Sequence, residues 1–308
     1  MDNGSTDGSF ELVKNNYPRV EVIQNGRNLG FAEGNNVGIR HALNRGADYV
    51  LLLNNDTVSE PDAVDRMIHA SQRNSNIGIV GPMIRDLDKR NQIVELGLDC
   101  DLLGYPVNNT IIRIREKAPH PFYVAGCAIL IKSNVFATIG FLDPSYFIFA
   151  EDLDFCWRAR LAGFEILAAA EAVVYHKSGG TVLGGAVKGE SHFTSTFRLY
   201  LSQRNTMKTI LKNYGAWSIT FILPLSVLSG LVMFVAGGIV LRQPEVVKSY
   251  IRALLSNIRD MRMTLCSRIS TQMLRRVSDR EILPKMSKSS SIVRSYLGIR
   301  KLVVSKSM

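Results

Sequence analysis

The run Tyr49-Val50-Leu51-Leu52-Leu53, followed at once by Asn54-Asn55-Asp56, constrains this chain more than any other stretch. Five apolar residues without alternation predict a strand buried on both faces, as in the interior of a parallel sheet. The abrupt change to small polar residues falls just beyond the strand's carboxyl end, where open α/β sheets take ligands. An acid flanked by two amides can hold a hard cation through oxygen while the amides bond a ribose or a phosphate. The same three residues also suit an ordinary turn, so the flanking sequence has to decide.

On either side the pattern alternates. DNGSTDGS at residues 2–9 is turn chemistry that caps a helix over 10–16, with Asp7 or Ser9 as N-cap. A short strand is expected at 20–23. The loop NGRNLGFAEGNN (25–36) then runs into a helix over 32–44. After the 49–53 strand, Pro61 fits the first turn of a helix reaching Gln72. A strand at 77–80 completes a βαβ pattern with a parallel sheet. Residues 85–121 read as a polar insertion, 121–132 as a strand, 172–175 as a last short strand ending at His176, and 193–212 as a helix. A turn as elaborate as DNGS normally leaves a strand, so a further strand ending just before Asp2 is expected.

Charge divides the 308 residues unevenly. From Arg242 onward there are 15 Lys/Arg and 4 Asp/Glu, and the preceding part holds the other 22 and 23. The net +10 therefore lies in the tail, which points to an anionic surface and not to a nucleic-acid-binding catalytic domain. Residues 216–241 carry no charge over 26 positions, more than the roughly 20 needed to span hydrocarbon. A buried helix is the alternative, but this segment stands outside the α/β pattern. The following helix lines up Val247, Ile251, Leu254, Leu255, Ile258 and Leu265, with Arg252, Arg259 and Arg262 mostly off that stripe. A basic amphipathic helix beside an apolar segment suits anionic lipid headgroups. The expected division is 1–213 catalytic, 214–242 membrane-associating and 243–308 basic tail. The four cysteines are scattered without a CxxC pair, so a reducing setting is expected, with the catalytic half on the cytoplasmic side of the membrane.

Three acidic positions can be brought to one crevice: Asp2, Asp56, and the cluster Glu151, Asp152, Asp154 at a helix start. Capping of the helix dipole alone would account for the third cluster, and the pattern does not say which of its acids faces a pocket. His176 by itself reads as an ordinary half-buried histidine.

DNGSTDGS, NLGFAEGNN, LLLNNDT, FAEDLDFCWRARLAGF and VVYHKSGGT, in this order over residues 2–181, resemble the family 2 glycosyltransferases, in particular the rhamnosyltransferase-like branch that builds bacterial and archaeal surface polysaccharides. Arg204-Asn205 extends the likeness weakly. The resemblance implies an α/β GT-A fold, a Rossmann-like nucleotide-binding half joined to an acceptor half through a mixed sheet. It implies inverting transfer of a sugar, such as rhamnose, from a nucleoside-diphosphate donor to a glycan or lipid-linked acceptor. Residue by residue it implies donor contacts at Asp2, Ser5, Asn28, Gly30, Asn35, Asn54 and Asn55. Asp56 and His176 would hold Mg²⁺ or Mn²⁺, and Asp152 would be the catalytic base. Asn54 replaces the first acid of the family's DxD motif, and Asn35 stands where many relatives have Arg. The family also carries a strand and helix before DNGS, so an incomplete start is expected. The competing readings are a nucleotidyltransferase, for which the basic glycine-rich loop is missing, and a non-catalytic membrane-bound remnant.

Overall fold

The apolar run at 49–53 forms a strand over the expected residues, but it sits at the margin of its sheet. The structure is a computed structural model that describes residues 1–108, 119–177, 187–188, 191–240, 242–288 and 301–305. Gly179-Gly180-Thr181 of the last motif, Leu241, and residues 289–300 and 306–308 of the tail lie outside those residues.

In chain order the strands are β1 (Tyr49–Leu53), β2 (Thr57–Ser59), β3 (Ile77–Asp86), β4 (Ile93–Glu95), the β5–β6 hairpin (Asp99–Cys100 and Pro106–Val107), β7 (Ala128–Lys132) and β8 (Glu165–His176). The main sheet runs β1–β7–β3–β8–β2, with β4 added on β3. β3 and β8 are parallel, while β7 is antiparallel to both β1 and β3. The sheet is therefore mixed, as the resemblance implies, and not the all-parallel sheet that the βαβ pattern suggests. β3 leaves the sheet at Asp86 and the chain comes back to it from the same end, so β7 must run the other way.

Two strand expectations need correction. β1 is not buried on both faces: β7 pairs one edge, the other opens on a groove, and Leu53 is 43% exposed. No strand forms at 20–23. Only an isolated bridge joins Asp2 to Gln24, with the Asp2 N–H donating to Ile23 O at 2.8 Å and the Asn25 N–H to Asp2 O at 2.9 Å. A single pairing partner of this length gives too few ladder bonds to hold a strand. β3 and β8 are longer than expected, each continuing through residues that the alternation alone left as loop.

The helices flank the sheet. Gly30–Asn44 begins two residues earlier than expected, and Ala63–Gln72 begins after Pro61, not at it. Asn36 ties the first of these to the second half of the chain: its amide donates to Leu142 O at 2.8 Å and its oxygen accepts the Leu142 N–H at 3.1 Å. Behind the sheet, Trp157 is fully buried between the edges of Phe122 and Tyr214, with ring centroids at 5.2 and 4.8 Å. This aromatic column joins helix Glu151–Leu161 to helix Thr196–Asn213.

The same two helices share a buried ionic cluster. Asp154 accepts from Arg158 at 2.9 Å, Lys212 and Asn213 at 3.0 Å each, and Tyr146 at 3.1 Å. Burial alone would raise its carboxyl, but Lys212 and Arg158 outweigh that and hold it well below the usual carboxylate range. Asp154 is thus the structural acid of its cluster.

Asp154→Asn leaves buried Arg158 without its anion and Lys212 with Asp143 alone, and should destabilise the fold by about 3 kcal/mol in urea denaturation near neutral pH. Because the native carboxyl is held down, its contribution is full above the unfolded pKa and is lost as pH falls through the native value. The stability gap between wild type and variant should therefore close toward strongly acid pH.

Candidate functional site

The polar residues after β1 and the acidic start of helix Glu151–Leu161 are held together by one short stretch, Gly126-Cys127, at the entrance to β7. The Asn54 N–H donates to Cys127 O at 2.9 Å, and the Gly126 N–H donates to Asp152 Oδ2 at 3.0 Å. Two adjacent residues thus connect the 54–56 turn to Asp152. The Cys127 thiol registers the same convergence: burial pushes it up, and the charges of Glu95, Asp152 and Asp56 push it further.

Asp56 and His176 meet across the β2–β8 pair, where Thr57 lies opposite His176. The imidazole Nε2 stands 3.2 Å from the Asp56 carboxylate, and both side chains are about one-fifth exposed. Thr57 fixes the turn by donating to Asn54 O at 2.6 Å, and the Lys177 N–H donates to Asp56 O at 3.0 Å. An oxygen and a nitrogen donor side by side at a pocket rim suit a divalent ion that takes its other ligands from phosphate and water. Among the described residues no group of three or more His, Cys, Asp or Glu is assembled.

Asp152 is half-buried, and its other carboxylate oxygen accepts the Leu153 N–H at 2.7 Å. Burial raises its pKa, and the backbone N–H donors of Gly126 and Leu153 partly oppose this. Its neighbour Glu151 is 5% exposed and its Oε2 has no hydrogen-bond partner. Burial first, then the charge of Asp152, pushes Glu151 well above the usual range, so of the adjoining pair Glu151 keeps the proton and Asp152 is the anion. A cavity of about 240 Å³ opens beside them, lined by Tyr123, Phe149, Arg198 and Thr206.

The approach to Asp152 is strained. Phe147, Phe149 and Ala150 all have positive φ, at 64°, 73° and 63°, a conformation that costs non-glycine residues about 1–2 kcal/mol each. Asn205 holds them in place. Its amide donates to Tyr146 O, Ile148 O and Phe149 O at 3.0, 2.9 and 2.7 Å, and Arg204 donates to Ser145 O and Tyr146 O. Phe147 O in turn accepts the Phe31 N–H at 2.6 Å, and Gly30 (φ 78°) lets that carbonyl approach where a Cβ would lie 2.6 Å from it. The pair Arg204-Asn205, the weakest part of the motif series, thus secures the segment that delivers Asp152.

A second cavity of about 610 Å³ runs along the open edge of β1. Asp2, Ser5, Gly30, Asn35, Asn54 and Asn55 all line it. Asp2 accepts the Ser5 N–H at 3.2 Å, and the Ser5 hydroxyl and backbone lower its pKa. Asn35 donates to Phe31 O at 2.8 Å. Asn28 does not line this cavity: its oxygen accepts the Gly30 N–H at 2.9 Å and the Asn3 amide at 3.1 Å, which fixes the loop. Asn3 joins the two loops, donating also to Gly30 O and accepting from Asn25 and from the Leu29 N–H. Neither Asn3 nor Gly126 was singled out from the sequence. Gly126 carries a readable signal, a lone glycine inside an apolar strand-like run, which marks close backbone approach.

Comparison with known proteins follows the same residues. Residues 1–139 match the model described as Glycosyl transferase family 2. The chain is 27% identical over 229 residues to the N-acetylglucosaminyl-diphospho-decaprenol L-rhamnosyltransferase of Mycobacterium tuberculosis, covering 67% of this chain and 74% of that protein. It is 26% identical over 203 residues to the low-salt glycan biosynthesis hexosyltransferase Agl10 of Haloferax volcanii, covering 60% and 58%. A crystal structure of GalNAc-T7 with UDP, GalNAc and Mn²⁺ superposes with a TM-score of 0.52 at 15% identity, over 72% of this chain and 42% of that one. This likeness concerns the fold, which is GT-A.

Asn205→Ala removes three bonds from the strained segment and should lower stability by about 2–3 kcal/mol in urea denaturation. Asn205→Asp, which keeps the size but not the donors, should cost at least as much.

Proposed function

We propose, from the match of residues 1–139 to the Glycosyl transferase family 2 model, that the chain transfers a sugar from a nucleoside diphosphate to a hydroxyl of a lipid-linked glycan acceptor during polysaccharide synthesis, with inversion at the anomeric carbon. The observation that supports the reading is the Gly126-Cys127 connection, whose two hydrogen bonds tie the turn at Asn54 to the Asp152 carboxylate. The relatives with rhamnosyltransferase names favour a deoxyhexose donor such as rhamnose.

The nucleotide lies along the groove lined by Asp2, Ser5, Gly30, Asn35, Asn54 and Asn55. Asp2 bonds the base or ribose, and the amides of Asn54 and Asn55 bond without adding negative charge beside the diphosphate. Asp56 and His176 would hold Mg²⁺ or Mn²⁺, which would neutralise charge on the departing diphosphate. The acceptor hydroxyl enters from the cavity at Tyr123, Phe149 and Arg198. Asp152 takes the hydroxyl proton as the oxygen attacks the anomeric carbon and the bond to the diphosphate breaks. Attack from the side away from the diphosphate requires the base and the cation to face each other across the sugar. The two arms of the Gly126-Cys127 stretch are consistent with that placement. Glu151, holding its proton, keeps a second negative charge away from the base. The chain works at a membrane surface through residues 216–241 and the basic segment after them, with its catalytic half on the cytoplasmic side.

Asp152→Asn should lower turnover at least 10³-fold with donor affinity nearly unchanged, and near-normal turnover would refute its role as the base. Asp56→Ala should weaken donor binding and the response to added Mn²⁺ together. A wild-type enzyme indifferent to chelators would contradict the cation site. Since Asp152 must be ionised and its pKa is raised, the acid limb of kcat/KM should lie above the ordinary carboxylate range, with activity lost as pH falls through it.

A further inference from the structure

Helix Ala216–Val240 is long and apolar enough to cross a bilayer, with a mean hydropathy of 2.3 over Ala216–Ile239. What the chain does on either side of it argues against crossing. Residues after the helix return to the catalytic half that precedes it. Arg268 donates to Leu211 O and Tyr214 O at 2.6 Å each, and the N–H groups of Arg276 and Val277 donate to Leu161 O at 2.7 and 3.1 Å. Ile282 and Met286 enter the core that contains Trp157. A single crossing would put these two halves on opposite sides of a membrane.

The helix is also held along its length. The Gly215 N–H just before it donates to Asp279 at 2.8 Å, and the Ser226 hydroxyl donates to Leu103 O at 3.3 Å. Tyr250 donates to Val227 O and stacks on Phe234 at 5.0 Å, and Gly230 leaves the space the Tyr250 ring occupies. One stripe therefore faces protein from end to end. The opposite stripe, with Trp217, Phe221, Leu225, Leu228, Val232 and Ile239, is between 56% and 85% exposed. From Trp217 to Ile239 it runs about 33 Å.

The next two helices are inside out in the same sense. Pro244–Arg259 buries Ser249, Ala253, Ser256 and Asn257 beside the two anchors Val246 and Tyr250, and exposes Ile251, Leu255 and Ile258. Met261–Met273 buries Thr264 and Thr271 and exposes Met263, Leu265, Ile269 and Met273. In water the large side chains would turn inward. A mostly small or polar inner face and large apolar residues outside is the arrangement of helices packed in lipid. Arg252 and Arg259, one helical line away from Ile251 and Ile258, are exposed, as is Arg262. They can reach anionic headgroups while the apolar line enters the acyl boundary.

We infer that residues 216–273 form an in-plane lipid-docking face: helix Ala216–Val240 lies along the surface of an anionic bilayer on the catalytic side and does not cross it. This deepens the membrane association proposed above and rests on it. The occupant is the bilayer itself, because exposed arginines flank exposed apolar lines on consecutive helices, a pairing that complements phosphate over hydrocarbon.

Vesicles of phosphatidylglycerol and phosphatidylcholine with bromine at defined acyl depths test it through tryptophan quenching. Trp157 is buried in the core and serves as the constant background. Wild type reports position 217, and Trp217→Phe carrying Leu228→Trp or Ile239→Trp reports the middle and the far end. All three positions should be quenched at one shallow depth. Deep quenching at 228 with shallow ends means the helix spans and overturns the inference while leaving membrane association standing. Absence of vesicle binding removes the membrane reading itself. A doubled mass in solution with no vesicle binding assigns the face to a second copy instead. Arg252→Gln and Arg262→Gln should each weaken binding to phosphatidylglycerol vesicles roughly fivefold, with no effect on neutral ones.

Discussion

The arrangement of the site depends on the backbone of Gly126 and Cys127. One residue gives its N–H to Asp152 and the next gives its carbonyl to the N–H of Asn54. Backbone groups have fixed spacing, so once the Asp152 carboxylate meets the Gly126 N–H, its separation from the polar turn beyond β1 is set by one peptide unit. A side chain at 126 would meet the Phe31 ring at 3.1 Å and stand 3.6 Å from the Asp152 Cβ.

Around that fixed pair, the acids of one helical turn are made to behave differently by their surroundings. Asp154 points into the core and is neutralised by Lys212 and Arg158. Glu151 is buried without a counter-ion and retains its proton. Asp152, bonded by two backbone N–H groups and adjoining a cavity, is left as an accessible anion. Three carboxylates within four residues thus have three different surroundings. The positive φ values at Phe147, Phe149 and Ala150 are the cost of turning the chain into the helix start that carries Asp152, and Asn205 offsets it with three hydrogen bonds.

Much of the fold could be read in advance because local signals agreed. The 49–53 run, the helix after Asn28, and the helix opened by Ser195, whose hydroxyl accepts the Arg198 N–H at 3.1 Å, follow from period and capping. The direction of β7 could not be read, since strand polarity depends on which edge the returning chain finds. The outward stripe of Pro244–Arg259 was legible as amphipathic, but amphipathicity does not say which face is buried. Only its packing on helix Thr196–Asn213 through Ser249, Ala253 and Asn257 shows that the apolar line faces out.

The sequence by itself determined the ingredients: five motifs in order, an acid after an apolar strand, an uncharged stretch of 26 residues and a basic tail. Such features are local, and local chemistry can be read from neighbours along the chain. Tertiary structure decided that Asp154 of the acidic cluster is locked in a buried ion cluster while Asp152 borders a cavity, that Asn28 serves the loop and not the groove, and that the chain after residue 241 returns to the side it left. Each of those depends on contacts between residues tens to more than a hundred positions apart. No window of sequence contains both partners.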